Sequence, residues 1–335
     1  MPLDAETERG YWVARKGIAV MDLSLVGRLK MTGADALDLV HRLCTQDVKN
    51  LKPGQGNGAT LTNEKGRVLD VINVYVFPDQ LFLFTGAGNQ GKTAAWLEKY
   101  TITEDVQTAD VTAETGLVSF AGANAKKLAA IVAGPEAETL PRYCHLPANI
   151  GGPQAFLTIG GPFGGGTSFS LVLKDRKDVP KALDYLLTKG EPLAADLVGP
   201  RVHNVLRIEA GAAMFGREVD ERFNPLEAGM ERLVSFTKGC YIGQEVIARL
   251  DSYHKVQKRL VGLFLPDGSP RGGDDLYAGE HKTGGITSTT FSPALKKDIA
   301  LAYVRTGDAA PGTKLIAKTE QSERLVEVTA LPFLP

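Results

Sequence analysis

Hydrophobic positions recur along this chain with two periods, and the switch between them outlines its organisation. Residues 18–30 read as a strand pair around Asp22 and Ser24. Residues 33–43 read as a helix, with Ala36, Leu39, Val40 and Leu43 on one face. A Gly-rich stretch at 54–58 leads to strand signals at 59–62, 68–77 and 81–85, with the turn Asn63-Glu64-Lys65-Gly66 after the first and a helix near 93–100 after the last. A second set follows: a strand from Leu117, a helix at 123–132, a Pro/Gly-rich loop at 134–153, strands near 155–159 and 168–173, and a helix at 179–187. From about Lys258 short strands with Gly, Pro and Asp turns take over, which predicts a separate small barrel.

A length of 335 residues suggests two or three domains. A net charge of −1 with interspersed signs leaves no basic stripe, so stable nucleic-acid binding is not expected. Cys44, Cys144 and Cys240 are far apart and odd in number, against a disulfide framework and without the ligand spacing of structural zinc. The first ten residues are acidic and polar, and nowhere do about 18 uninterrupted apolar residues occur. The chain therefore reads as soluble, with no membrane partner, and cytoplasmic, or organellar if a transit peptide has been removed.

The most informative stretch is Lys238-Gly239-Cys240-Tyr241-Ile242-Gly243-Gln244-Glu245, a thiol in a glycine-flanked turn before a helix capped by Gly243. The positive end of that helix and Lys238 make the setting of Cys240 electropositive, as reactive cysteines require. The competing reading is a small buried hydrophobe.

Residues 201–210 form a second informative segment, a helix bounded by Pro200 and Gly211. Val202, Val205 and Leu206 share a face, and Glu209 falls on it at i+7, so its carboxylate is expected to be buried and in need of a partner. Arg207, Arg217, a backbone amide or a ligand could supply one.

Gly86-Ala87-Gly88-Asn89-Gln90-Gly91-Lys92-Thr93 matches the G-x-x-x-x-G-K-[ST] phosphate loop in full. No strand ending in a magnesium-holding Asp accompanies it, and the surrounding strands look like an antiparallel meander, so a Gly-rich turn is the favoured reading. The run at 160–166 precedes a strand and implies no anion site.

Several segments together resemble the glycine-cleavage T-protein superfamily of tetrahydrofolate-dependent aminomethyltransferases and demethylases: residues 15–26, 33–56 with Thr45-Gln46-Asp47, Asn63-Glu64-Lys65-Gly66-Arg67-Val68-Leu69-Asp70, 206–216 and 284–302. Within it, Lys238 to Glu245 resembles the signature of the YgfZ branch, folate-binding proteins that support iron–sulfur enzymes and, in bacteria, tRNA modification. The resemblance implies an α+β fold, a ring of two similar folate-binding subdomains (residues 1–112 and 113–255) around a central channel, then a C-terminal β-barrel at 256–335. It puts Glu209 at the pterin, whose adjacent N–H donors one carboxylate can accept. It puts Asp70 near the folate nitrogens, as the first of a pair of acids whose second place is taken here by Val71. Arg217 and Lys238 are the candidate cations for the folate, and Cys240 and Asp70 the candidate catalytic residues.

Two channel segments depart from the T-protein pattern: Ser168-Phe169-Ser170 replaces a Gly-Tyr-Glu stretch, and Asp22-Leu23-Ser24-Leu25 an Asp-Val-Ser-His type. The barrel segment from Gly285 to Pro293 stays close to the aminomethyltransferases. The reading is a tetrahydrofolate-binding protein that maintains or matures iron–sulfur client enzymes through Cys240. A folate-dependent aminomethyltransferase or demethylase is the first alternative, and a phosphate-loop nucleotide hydrolase the second.

Overall fold

Three sheets carry the chain in the computed structural model, which describes residues 3–160, 168–266, 270–319 and 323–334. Residues 161–166 of the second Gly-rich run lie outside them.

The first sheet orders its strands Gly56–Thr62, Val68–Val76, Leu81–Thr85, Gly27–Thr32, Gln107–Asp110, every neighbour antiparallel. Leu81–Thr85 is apolar on both sides because the sheet is covered on both. Leu81 and Leu83 point into the core under helices Ala36–Leu43 and Gln90–Lys99, while Phe82 and Phe84 face the second subdomain.

The second sheet runs Ala195–Leu197, Ile18–Asp22, Gly116–Ala121, Ser168–Leu173, Gln154–Ile159, His145–Asn149, covered by helices Ala125–Ala133 and Val179–Gly190. The strand pair expected at 18–30 therefore forms as two strands that part company. Ile18–Asp22 enters the second sheet and Gly27–Thr32 the first. Sequence-adjacent strands normally pair across a tight turn. Here residues 23–26 bridge two sheets, anchored by Asp22, which accepts the Ser24 N–H at 2.8 Å. The sheets meet along an aromatic seam, with ring centroids 5.0 Å apart for Tyr75–Phe84 and 5.5 Å for Phe82–Phe156.

Lys258 opens a closed six-stranded barrel of Lys258–Leu265, Lys297–Arg305, His281–Ser292, Asp275–Ala278, Lys314–Lys318 and Glu323–Thr329. Closure removes free strand edges.

One helix gave no signal in the hydrophobic pattern. Ala5–Lys16 is capped by Asp4, which accepts the Thr7 N–H at 2.8 Å, and carries acids in its first turn and Arg15 and Lys16 in its last, both favourable to the dipole. Its buried face is Thr7, Gly10, Tyr11 and Ala14. It crosses helix Pro200–Glu209 so closely that a Cβ on Gly10 would lie 2.8 Å from Val202.

Arg28 ties the subdomains together without an ion pair to any acid among the described residues. Fully buried, it donates to Thr115 Oγ1 at 2.7 Å and to the carbonyls of Ser24, Val26, Thr112 and Thr115. Burial and nearby Arg176 pull its pKa down to about 10. Arg28→Leu is expected to strand these carbonyls and cost about 3 kcal/mol or more, read from the urea midpoint at unchanged slope. An unshifted midpoint would show that the guanidinium holds nothing together.

Candidate functional site

Glu209 ends helix Pro200–Glu209, whose Val202, Val205 and Ile208 are buried, and its own side chain is 1% exposed. The carboxylate accepts the Tyr11 hydroxyl at 3.0 Å on Oε1, the Ser292 hydroxyl on the same oxygen, and the Arg15 guanidinium on Oε2. Arg15 also donates to the Tyr11 oxygen at 3.1 Å. Burial lowers the Arg15 pKa, and the charge and hydrogen bond of Glu209 more than reverse it. The Tyr11 pKa is pushed up to about 12 by burial and then by Glu209. The N-terminal helix, the second-subdomain helix and the barrel thus meet on one carboxylate.

Neither side-chain partner expected for Glu209 from the sequence is the one found. Arg207, two residues earlier, projects to another side and pairs with Glu218 at 2.9 Å and Ser288 Oγ at 2.6 Å. Burial lowers its pKa, against the pull of Glu218. Arg217 is exposed on the following turn and makes no ion pair among the described residues; its carbonyl accepts from Arg222 at 3.2 Å.

Asp70 is fully buried, not an edge acid facing solvent. It accepts the N–H groups of Val71 at 2.8 Å and Gly86 at 2.9 Å and the Thr93 hydroxyl. Burial pushes its pKa up, and these donors work against that. Asn89 completes the lock by donating to the Leu69 carbonyl at 3.0 Å. The phosphate-loop reading fails on this geometry. An acid occupies the Gly86 amide that would face a phosphate, Gly91 and Lys92 lie inside helix Gln90–Lys99, and strand Leu81–Thr85 has antiparallel neighbours on both sides. Val71, in the place of the second acid, packs against the buried cluster of Val68, Val219 and Ala228.

The octapeptide acts as a clamp. The Lys238 ammonium donates to the carbonyls of His41, Cys44 at 2.8 Å and Gln46 at 3.0 Å, closing the end of helix Ala36–Leu43. Burial lowers its pKa, opposed by Cys44 and Asp47. This differs from the expected role beside Cys240 and the folate: three carbonyls take up its three protons, and the thiol its charge acts on is Cys44. Thr62 donates to the Ile242 carbonyl at 2.6 Å. Gly243 caps helix Gln244–Ser252 at φ +86°, where a Cβ would sit 2.6 Å from the Asn63 carbonyl, so only glycine fits this approach. Cys240 lies between these anchors and is exposed, whereas Cys44 is buried and Cys144 half-buried, each with its pKa pushed up by burial. Among the described residues Cys240 and Glu209 share no direct contact, so the structure presents two separate features.

Residues 2–238 match the GCVT N-terminal domain and residues 258–334 the glycine cleavage T-protein C-terminal barrel domain. The aminomethyltransferase of Thermotoga petrophila is 30% identical over 312 residues, covering 90% of this chain and 84% of that protein. That of Symbiobacterium thermophilum is 30% identical over 329 residues, covering 95% and 87%. The crystal structure of the glycine cleavage system aminomethyltransferase T from Bartonella henselae shares the fold, with a TM-score of 0.86 at 23% identity over 98% of this chain and 89% of that one. With both family models matched in sequence order across nearly all of its length, the chain belongs to the glycine cleavage T-protein family.

Proposed function

We propose that the protein is a tetrahydrofolate-dependent one-carbon transferase of the aminomethyltransferase type, which moves the leading iron–sulfur reading from the sequence into second place. The observation that carries it is the Glu209 carboxylate at the three-way junction, in a chain whose full-length relatives are named aminomethyltransferases. An ion-paired carboxylate offers about four acceptor positions, of which three are used here. A pterin edge needs two. The Tyr11 or Ser292 hydroxyl can turn away to free the second, while Arg15 still neutralises the buried charge.

The folate supplies the nitrogens that accept the one-carbon unit; the protein binds and orients it. Proton handling is the weak point of this chain. Asp70 is committed to the turn at Gly86, and Val71 offers nothing to a reacting nitrogen. Transfer is therefore slow, held back at the step a second acid would assist.

The alternative role, upkeep of iron–sulfur enzymes with a client protein docking at the thiol, is favoured by one observation, the exposure of Cys240 on a turn pinned at both ends. One thiol cannot hold a cluster, so the client or a small thiol would complete the ligand set.

Three outcomes test these readings. Glu209→Gln presents an amide donor to a donor edge and should weaken tetrahydrofolate by about 1–3 kcal/mol in calorimetry; an unchanged Kd removes the pterin role. Val71→Asp should raise the aminomethyl transfer rate by about 10²-fold, the lower range for a placed acid, in a variant shown to melt cooperatively. A rate at or below the parent's would mean that residue 71 is not the limitation. Native-state alkylation should label Cys240 well before Cys44, and Cys240→Ser should keep folate affinity while failing to complement a strain defective in iron–sulfur upkeep. Full complementation by the serine variant discards the thiol role and leaves the transferase reading intact.

A further inference from the structure

After the last barrel strand, Glu323–Thr329, residues 330–334 run without regular secondary structure between the outer face of the barrel and the end of helix Pro200–Glu209. The Phe333 ring lies on the first barrel strand, where a Cβ on Gly262 would sit 2.7 Å from it, and its centroid is 5.8 Å from that of Phe264. Leu331 covers Gly211, whose φ of +65° ends the helix and whose Cβ would lie 2.8 Å from that of Leu331.

Two ties run from this strap to Glu209. A helix end leaves carbonyls without intrahelical donors. Here the local turn serves those of Leu206, Ile208 and Arg207, through the N–H groups of Ala210, Gly211 and Ala212 at 3.0, 2.9 and 2.8 Å. The Glu209 carbonyl is served from far along the chain, by the Phe333 N–H at 2.8 Å. The second tie passes through Ser292. Leu295 packs on the same cluster as Leu331 and Phe333, around Ile208, Ile299 and Leu301, and its N–H donates to Ser292 Oγ at 3.2 Å. With that oxygen accepting, the Ser292 proton is left for the Glu209 carboxylate, to which it donates.

We propose that Leu331 and Phe333 are positioning residues for Glu209, so that the strap sets the affinity for folate without touching it. The inference rests on the transferase reading, which takes Glu209 as the acceptor of the pterin edge. A carboxylate that must meet two donors at once tolerates little displacement, and its main chain is fixed here by a segment outside both the helix and the barrel ladder.

Calorimetric titration with tetrahydrofolate tests the strap in two backgrounds. In the parent chain Phe333→Pro, which removes the N–H and the ring, should weaken binding about three- to tenfold, and Phe333→Leu, which keeps the N–H and an apolar side chain, should restore it. In Glu209→Gln the same Phe333→Pro change should alter affinity by less than about twofold while lowering the melting temperature as much as in the parent. Should Phe333→Pro fail to melt cooperatively, Leu331→Ala carries the same expectations. Unchanged affinity in a folded strap variant, or equal losses in both backgrounds, overturns the proposal and leaves the pterin role of Glu209 standing. Unchanged affinity in Glu209→Gln alone would remove that role and the strap's purpose together.

Discussion

Everything in this fold leans on a helix enclosed on opposite sides. Residues two apart on a helix point in nearly opposite directions, yet Arg207 and Glu209 of Pro200–Glu209 are both buried. That is possible because the last turn of the helix, Arg207 to Glu209, is covered by protein on both sides, while its first turn is open to solvent. Each buried charge is answered by an opposite charge, Glu218 for Arg207 and Arg15 for Glu209, and each is completed by a hydroxyl of the barrel strand His281–Ser292. Ser288 and Ser292 are four apart on that strand and so share a face, which sets the barrel's orientation against the helix. Buried ion pairs repay their desolvation only when geometry and extra hydrogen bonds are complete. Here the completion comes from three separate parts of the chain, and specificity of assembly is what the arrangement secures.

The GAGNQGKT segment shows how a perfect short motif can be emptied of its usual chemistry by its neighbours. Phosphate loops work because their amides have no internal acceptor. Asp70 is such an acceptor, sixteen residues upstream of Gly86, and it reaches the loop because strands Val68–Val76 and Leu81–Thr85 are antiparallel neighbours. The same hairpin explains why Asp70 does not act as a free acid.

Local pattern was readable where the partner was close in sequence or was water. The stripe of Val202, Val205 and Leu206 predicted a buried Glu209, Gly243 read correctly as a helix cap, and the barrel was visible from Lys258. Partner identity was not readable, since Tyr11 and Arg15 lie 198 and 194 residues away from Glu209. Their helix is capped and charge-complemented but only weakly striped, so periodicity alone passed over it. Arg15 and Ser292 did fall in the segments that carried the family resemblance, which was the one signal able to join them. Lys238 was misjudged for the same reason: its place beside Cys240 in sequence says nothing of the carbonyls of residues 41–46, brought to it by the fold.

The clamp made by Lys238 also sets a timetable for the nascent chain. Helix Ala36–Leu43 is among the first elements to leave the ribosome, yet the cation that closes its end comes 197 residues after His41. At about 5–20 residues per second that is a delay of roughly 10–40 s, followed by passage through the exit tunnel. Until then the carbonyls at 41, 44 and 46 await their cation, the turn at Asn63 lacks Gly243 beneath it, and the first strand Ile18–Asp22 has no sheet to join until Gly116–Ala121 arrives. The five strands of the first sheet are all made by Asp110, so what waits for residues 238–243 is not that sheet but the closing of its helix end and of its Asn63 turn.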